Sequence, residues 1–224
     1  MLIIAPYEHG PINNNGCPEQ DSDGDGILDQ YDNCPKKYGP TSNKGCPETN
    51  AGTFIDSRDG QMYTWKRMKD GKKWMTQNLN YERPGSYCYD NKEKNCTDYG
   101  RLYVWRNALN ICPKGWHLPT DNDWKNLLSA YGGYYDSAKR KEVGSSQTAY
   151  KSLMSVNSGF NPSLGGERNM DYGFMALASV ASYWSATQSD SEISAWYYSF
   201  SSDKIILRFR VNKNYAISCR CIME

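Results

Sequence analysis

Five aspartates crowd into twelve residues, Asp21, Asp23, Asp25, Asp29 and Asp32, in the run DSDGDGILDQYD. Counted from Asp21, carboxylates fall at loop positions 1, 3, 5, 9 and 12, Gly26 provides a sharp turn at position 6, and Ile27 at position 7 offers its backbone carbonyl. Without a cation these carboxylates would repel one another. Calcium accepts about six to eight oxygens in a flexible shell, whereas magnesium demands a small, near-ideal octahedron that rejects such crowding. The spacing therefore predicts bound Ca2+ with Asp21, Asp23, Asp25, Ile27, Asp29 and Asp32 as ligands.

The remaining residues offer little to catalysis. The chain has two histidines, His9 and His117, and no GxSxG, HExxH or phosphate-loop pattern. His117 reads as a hydrogen-bonded core residue, and no catalytic residue is assigned. Aromatic usage is more informative, because 18 Tyr and 7 Trp against 5 Phe is a balance suited to wet binding surfaces or to an irregular core. Tyr183, Trp196, Tyr198 and Arg208 are read as a stacking platform for a ligand beside the Gly/Ser/Asn-rich residues 157–182. Strand alternation suits a core face for Trp196, Tyr198 and Phe200 equally well.

Residues 1–52 hold eight acids against Lys36, Lys37 and Lys44, a charge of −5, leaving +6 on the remainder of a chain whose formal net charge is +1. A small excess spread without a basic block excludes a nucleic-acid site. Eight cysteines, at 17, 34, 46, 88, 96, 112, 219 and 221, without zinc-ribbon spacing, point to an oxidising, extracytoplasmic compartment. No stretch approaches the roughly 20 apolar residues of a membrane span. The apolar run Leu2, Ile3, Ile4, Ala5 is too short for a signal peptide, so the sequence is expected to begin inside a longer, envelope-associated chain.

These signals must be positioned by two units. NNGCPE and NKGCPE, beginning at Asn14 and Asn43, lie 29 residues apart and suggest a repeat, so residues 1–16 read as the end of a truncated upstream copy and 17–48 as a metal- and disulfide-ordered unit. After the linker 49–52, residues 53–224 read as one α+β domain. Strands are expected at 54–55, 62–68 and 73–79, and again at 194–200, 204–211 and 215–222. Helices are expected at 102–109, after the N-cap Thr120 up to Gly132-Gly133, and at 147–156.

The stretch DSDGDGILDQYDNCP with the later GCP resembles the thrombospondin type 3 repeat, a family that binds calcium through these aspartates. It departs from an EF-hand in lacking flanking helices and in carrying Asp32 where that motif has a bidentate Glu. Cys34 and Cys46 would close the loop after the metal site, worth roughly 3 kcal/mol in loop entropy, which leaves Cys17 without a partner here. In the larger unit, WMTQNLNY from Trp74, YGRLYVW from Tyr99, CPKGWHLPT from Cys112, YWSAT from Tyr183 and SCRC from Ser218 together resemble the Fibrobacter succinogenes major paralogous domain. That likeness implies a C-type lectin-like fold with terminal antiparallel strands, two or three helices and long loops, on secreted or cell-surface, outer-membrane-associated proteins of bacteria. The polar, turn-like residues between Cys88 and Cys96 suggest a small hairpin-like disulfide. Cys219 and Cys221 read as neighbours on one strand face, about 6.8 Å apart and unable to pair with each other. The family pattern keeps the cysteine after Arg, which implies Cys112–Cys221 and leaves Cys219 a free, buried thiol.

Three functions compete. The first is a non-enzymatic adhesion or binding protein, a calcium-rigidified stalk presenting a lectin-like head to an extracellular glycan or protein. Neither Glu-Pro-Asn nor Trp-Asn-Asp occurs, so calcium-dependent sugar capture by the head is not expected. The second is a structural envelope or fimbrial-type component without its own ligand. The third is an enzyme of the formylglycine-generating type, disfavoured because Cys219 and Cys221 are too closely spaced and one is committed to Cys112.

Overall fold

The computed structural model describes residues 20–171 and 173–224, so expectations for residues 1–16 and for Cys17 lie outside the described residues. The chain divides into two units, residues 1–50 and 51–224. The described part of the first contains no strand or α-helix, only a short 3-10 turn at Thr41–Asn43, and is tied by a disulfide between Cys34 and Cys46. Its fold is written in polar contacts. Asn33 N–H donates to the Lys44 carbonyl at 3.0 Å, and the Asp32 carboxylate sits so close to Gly45 that a Cβ there would lie 2.0 Å from Oδ1.

The larger unit begins with β1 (Ala51–Ile55), β2 (Met62–Arg67) and β3 (Lys73–Met75), followed by β4 (Ser86–Tyr87), α1 (Glu93–Tyr99), β5 (Leu102–Val104) and α2 (Trp105–Ala108). Next come α3 (Asp121–Tyr131), the hairpin β6 (Gly133–Asp136) and β7 (Lys141–Gly144), and α4 (Ser146–Met154). A small hairpin, β8 (Glu167–Arg168) and β9 (Phe174–Met175), precedes β10 (Val180–Gln188), β11 (Ser194–Ser201), β12 (Ile206–Asn212), β13 (Ala216–Ser218) and β14 (Ile222–Met223). One sheet has the order β1-β2-β3-β14, so the first and last strands of the unit share it. The second runs β4-β5-β13-β10-β11-β12-β6-β7, with β8 and β9 attached beside β13. The result is a mixed α+β unit, mostly sheet.

Helix α3 forms for reasons visible locally. Asp123 N–H donates to Thr120 Oγ1 and the Asp123 carboxylate accepts from Thr120 N–H at 2.8 Å, a complete capping box. Trp124, Leu127 and Leu128 then share one buried face. Gly133 follows at φ 138°, where a Cβ would lie 1.9 Å from the Val143 carbonyl, so only glycine lets β6 pair with β7. The helix face packs under β10 and β11, where Trp124 stacks between Tyr183 and Tyr198 at 5.6 and 5.3 Å and meets Trp74 edge-on at 4.9 Å.

Several elements differ from expectation. Residues 102–104 form a strand and only 105–108 turn helical, because Leu102 and Tyr103 are buried between β4 and β13. Between Cys88 and Cys96 the chain makes a 3-10 turn and enters α1, so the bonded pair closes a helical turn and no hairpin. The expected last strand, 215–222, is cut in two: β13 ends in the large sheet, Cys219 to Cys221 cross over, and β14 joins the small sheet. Cys219 and Cys221 therefore do not share one regular strand face. Cys221 is bonded to Cys112 across 109 residues, a loop whose closure is worth about 4.7 kcal/mol, and Cys219 is a buried free thiol.

At that crossing Arg220 is wholly buried. Its guanidinium donates to the Phe160 carbonyl, to Asn78 Oδ1 at 2.8 Å and to the Asn161 carbonyl at 3.1 Å, and lies over the rings of Phe160 and Tyr183 at 4.4 and 5.0 Å. Asn78 also accepts from Tyr183 Oη at 3.0 Å and donates to the Tyr99 carbonyl at 2.9 Å. Four segments thus meet on one amide. Asn78→Ala strands Arg220 and Tyr183 in the core and is expected to cost about 3 kcal/mol, lowering Tm by roughly 6–12 °C in a thermal melt followed by circular dichroism.

Candidate functional site

The acidic loop is built by its own backbone. Gly24 and Gly26 adopt φ 77° and 90°, which lets the Asp21 carboxylate accept from both their N–H groups at 2.8 and 2.9 Å. Asp25 N–H donates to Asp23 Oδ1 at 3.1 Å, and Ile27 N–H to Asp25 Oδ1 at 2.9 Å. Carboxylate oxygens of Asp21, Asp23 and Asp25 consequently lie within 4.8 Å of one another. The Gly26 amide, with help from Gly24, holds the Asp21 carboxyl below its ordinary range. Desolvation, followed by repulsion from Asp25, Asp32 and Asp21, pushes Asp23 up.

Asp23 Oδ2 is shielded from water and has no partner, and so is Asp32 Oδ2. Three converging carboxylates and a bare, desolvated acceptor are a donor set that fits a hard divalent cation. Asp21, Asp23 and Asp25 would hold it. Asp29 lies outside this trio, its carboxylate accepting from the Ser22 amide at 2.8 Å and hydroxyl at 2.7 Å. Asp32 is buried, accepts from Cys34 N–H at 2.6 Å and links the acidic loop to the disulfide. Ile27 is half-buried within the loop.

The aromatic platform does not form. Tyr183 and Tyr198 are both 0 % exposed, because β10 and β11 turn them onto α3, and burial raises the pKa of each phenol. Their hydroxyls are spent inside, on Asn78 and on Asp121 at 2.8 Å. Arg208 stays with Trp196, stacked 3.3 Å over its half-buried ring, but the guanidinium is itself buried and faces two carboxylates. It donates to Asp121 at 2.7 and 2.9 Å and approaches Asp136 at 3.3 Å. Burial works to raise the Asp121 pKa, yet hydrogen bonds from Arg208, Lys125 and Tyr198 outweigh it and the net direction is down. Tyr183, Tyr198 and Arg208 are structural supports, while Trp196 is half-buried with one ring face covered by Arg208. Strand alternation, the signal that pointed to a core face, was the better guide for Tyr198 and Phe200, whereas Trp196 is only half-buried.

His117 is not the core residue expected: its backbone bridges Ile222 but its side chain is exposed, 3.9 Å from the Glu224 carboxylate, while burial drives the Cys219 thiol well above its ordinary pKa. With Cys221 in a disulfide, the pair of free thiols that copper and oxygen chemistry would use is absent from the described residues. The other cluster of potential ligands, Cys88, Glu93 and Cys96, has both sulfurs in a disulfide.

The model of the Fibrobacter succinogenes major domain matches residues 68–223, and that of the thrombospondin type 3 repeat matches residues 16–41. The chain belongs to the Fibrobacter succinogenes major domain family. In this family member the domain covers most of the larger unit, and the matched repeat spans all five aspartates of the acidic loop. No curated protein and no solved structure matches the chain. Both families are of extracellular type, and among the described residues no helix is long and apolar enough to cross a membrane.

Arg208→Ala leaves Asp121 and Asp136 buried without their cation, and a loss of about 3–5 kcal/mol is expected in urea unfolding, where a ligand-contacting surface residue would cost well under 1 kcal/mol. Chelation with EDTA should open the chain to trypsin at Lys36, Lys37 and Lys44 while the fragment from residue 51 onward survives. Mass spectrometry of a timed digest checks this, and first cuts inside 51–224 would contradict it.

Proposed function

We propose that this chain is an extracellular bacterial binding or adhesion protein, without catalytic activity of its own, in which a Ca2+-ordered repeat carries a head that holds an extracellular glycan or protein. Calcium is the cation favoured for the Asp21, Asp23 and Asp25 cluster, because thrombospondin type 3 repeats are calcium modules and this one brings its carboxylates together. The head reads as C-type lectin-like. That reading is supported by first and last strands paired through one small sheet, by α3 and α4 packed beside the larger sheet, and by a long loop region before β10.

The observation that carries the binding role is the way residues 157–179 are held. Lys66 Nζ donates to the Asn157 and Ser158 carbonyls at 3.2 and 2.8 Å, Arg220 grips Phe160 and Asn161, and Phe160 is wholly buried. Further along, Ala178 N–H donates to the Leu164 carbonyl at 2.9 Å and Gly166 N–H to Val180 at 3.1 Å. The segment is thus tied down at its root while Asn161, Met170 and Met175 stay exposed. A loop surface ordered before it meets its ligand loses little conformational entropy on binding.

Among the described residues the larger unit has no oxygen cage for calcium, so capture by the head should survive EDTA. A glycan and extracellular-protein array probed with the whole chain, with and without chelator, tests both parts. A ligand retained in EDTA fits the proposal. Capture that vanishes with calcium would break the division between stalk and head, and an array without any specific ligand would favour a purely structural envelope component.

A further inference from the structure

A cleft of ≈ 320 Å³ lies between the start of β2, residues 76–80, the end of α1 and the root of the long loop at Asn161 and Ser163. Its volume is at the lower end of ligand sites, about 300 Å³ and upward. Its chemistry is unusual for a small-molecule pocket. Gln61, Gln77, Asn78, Asn80 and Asn161 all line it, with the hydroxyls of Thr76 and Ser163 among them, and no lysine or arginine does. The one carboxylate on its wall, Asp98, is engaged by Lys94 at 2.5 Å.

Some of these groups already serve the fold. Asn78 is saturated, and Gln77 Oε1 accepts from the Thr64 amide at 2.9 Å, which leaves the Gln77 amino group to the cleft. Others are unspent. The side chains of Asn161 and Ser163 make no hydrogen bond to described residues, and Asn80 Oδ1 has neither a partner nor contact with water. Asn161 is held at φ 47°, left-handed for a non-glycine residue, by the grip of Arg220 on its carbonyl. The buried cation thereby fixes an exposed amide on the cleft wall. Tyr99 supplies a partly exposed ring beside these amides.

The geometry points to this cleft as a binding site for a neutral carbohydrate. The assignment rests on the binding-module reading and names the ligand class of the head. Each primary amide offers two donors and a two-lone-pair acceptor, a match for vicinal hydroxyls, and the ring offers a face to the C–H side of a sugar. The cleft carries no free cation for a phosphate, sulfate or uronate, and too little apolar wall for a lipid or an aromatic ligand. A shallower depression lined by Lys66, Lys69 and Lys151 is the place an acidic glycan would choose.

The test is saturation-transfer NMR on the whole calcium-loaded chain with neutral hexose and pentose oligosaccharides, run beside sulfated and uronic-acid oligosaccharides and an extracellular-protein array. A neutral sugar is expected to bind, and Asn161→Gly, which keeps the left-handed backbone without strain, should weaken it at least tenfold at unchanged Tm. Ser163→Ala should weaken it too without loss of stability, since the removed hydroxyl has no hydrogen-bond partner among the described residues to strand. Neutral-sugar binding indifferent to both variants would overturn the site. Binding of acidic sugars alone, lost in Lys151→Ala, would overturn it in favour of the lysine depression. A protein ligand with no sugar would sink this inference and leave the binding module standing, whereas silence from every probe would sink both.

Discussion

A guanidinium without access to water stands where the chain leaves one sheet of the larger unit for the other, and the rest of that unit is arranged around its needs. Arg220 keeps its charge in any ordinary solvent, although desolvation pulls its pKa down. Among the described residues no carboxylate neutralises it. Two loop carbonyls, the Asn78 amide and two aromatic faces solvate the charge instead. Those partners lie on three separate stretches of chain, so holding one buried charge fixes the loop root at residues 160–161, the turn after β3 and the centre of β10 in one step. The flanking cysteines are spent on the same place, one bonded to Cys112 and the other sealed in the core.

The smaller unit solves a different problem. It has too few apolar residues for a core, and its order comes from backbone amides aimed at carboxylates and from one disulfide. Asp32 shows the connection. Its carboxylate is packed against Gly45 and bonded to the Cys34 amide, so the acidic loop and the disulfide-closed loop are joined by a single side chain.

Aromatic residues in the larger unit are consumed by the interior. Trp74, Trp124, Phe160, Tyr183, Tyr198 and Phe200 form one continuous stack and edge network. The long loop is anchored through its backbone, by Arg220 on the Phe160 and Asn161 carbonyls and Lys66 on those of Asn157 and Ser158, so the Asn161 side chain stays exposed. Core rings thus supply the rigid frame, and polar side chains on the loop are left at the surface.

The clustering of Asp21, Asp23 and Asp25 was legible in the sequence because alternate aspartates and the glycines at 24 and 26 act within six residues, whereas the roles of Asp29, which is bonded to Ser22, and Asp32, which is bonded to the Cys34 amide, were not. The capped helix α3 was legible for the same reason, as were strands β2, β11 and β12, whereas the expected 73–79 strand stops at Met75 and 215–222 is divided between two sheets. The Cys112–Cys221 pairing came through family likeness, since the two residues are 109 apart and nothing local links them. Beyond such distances the sequence was silent. Tyr183, Tyr198 and Arg208 have types that suit a binding platform and a core equally, and only the packing of β10 and β11 on α3 decided for the core. Strand β10 itself was hidden at the end of a Gly- and Ser-rich stretch, because its pairing with β11 and β13 is non-local. The cleft residues Asn78 and Asn161 are brought together across more than eighty residues by a buried arginine, a tertiary electrostatic constraint that no period, spacing or composition encodes.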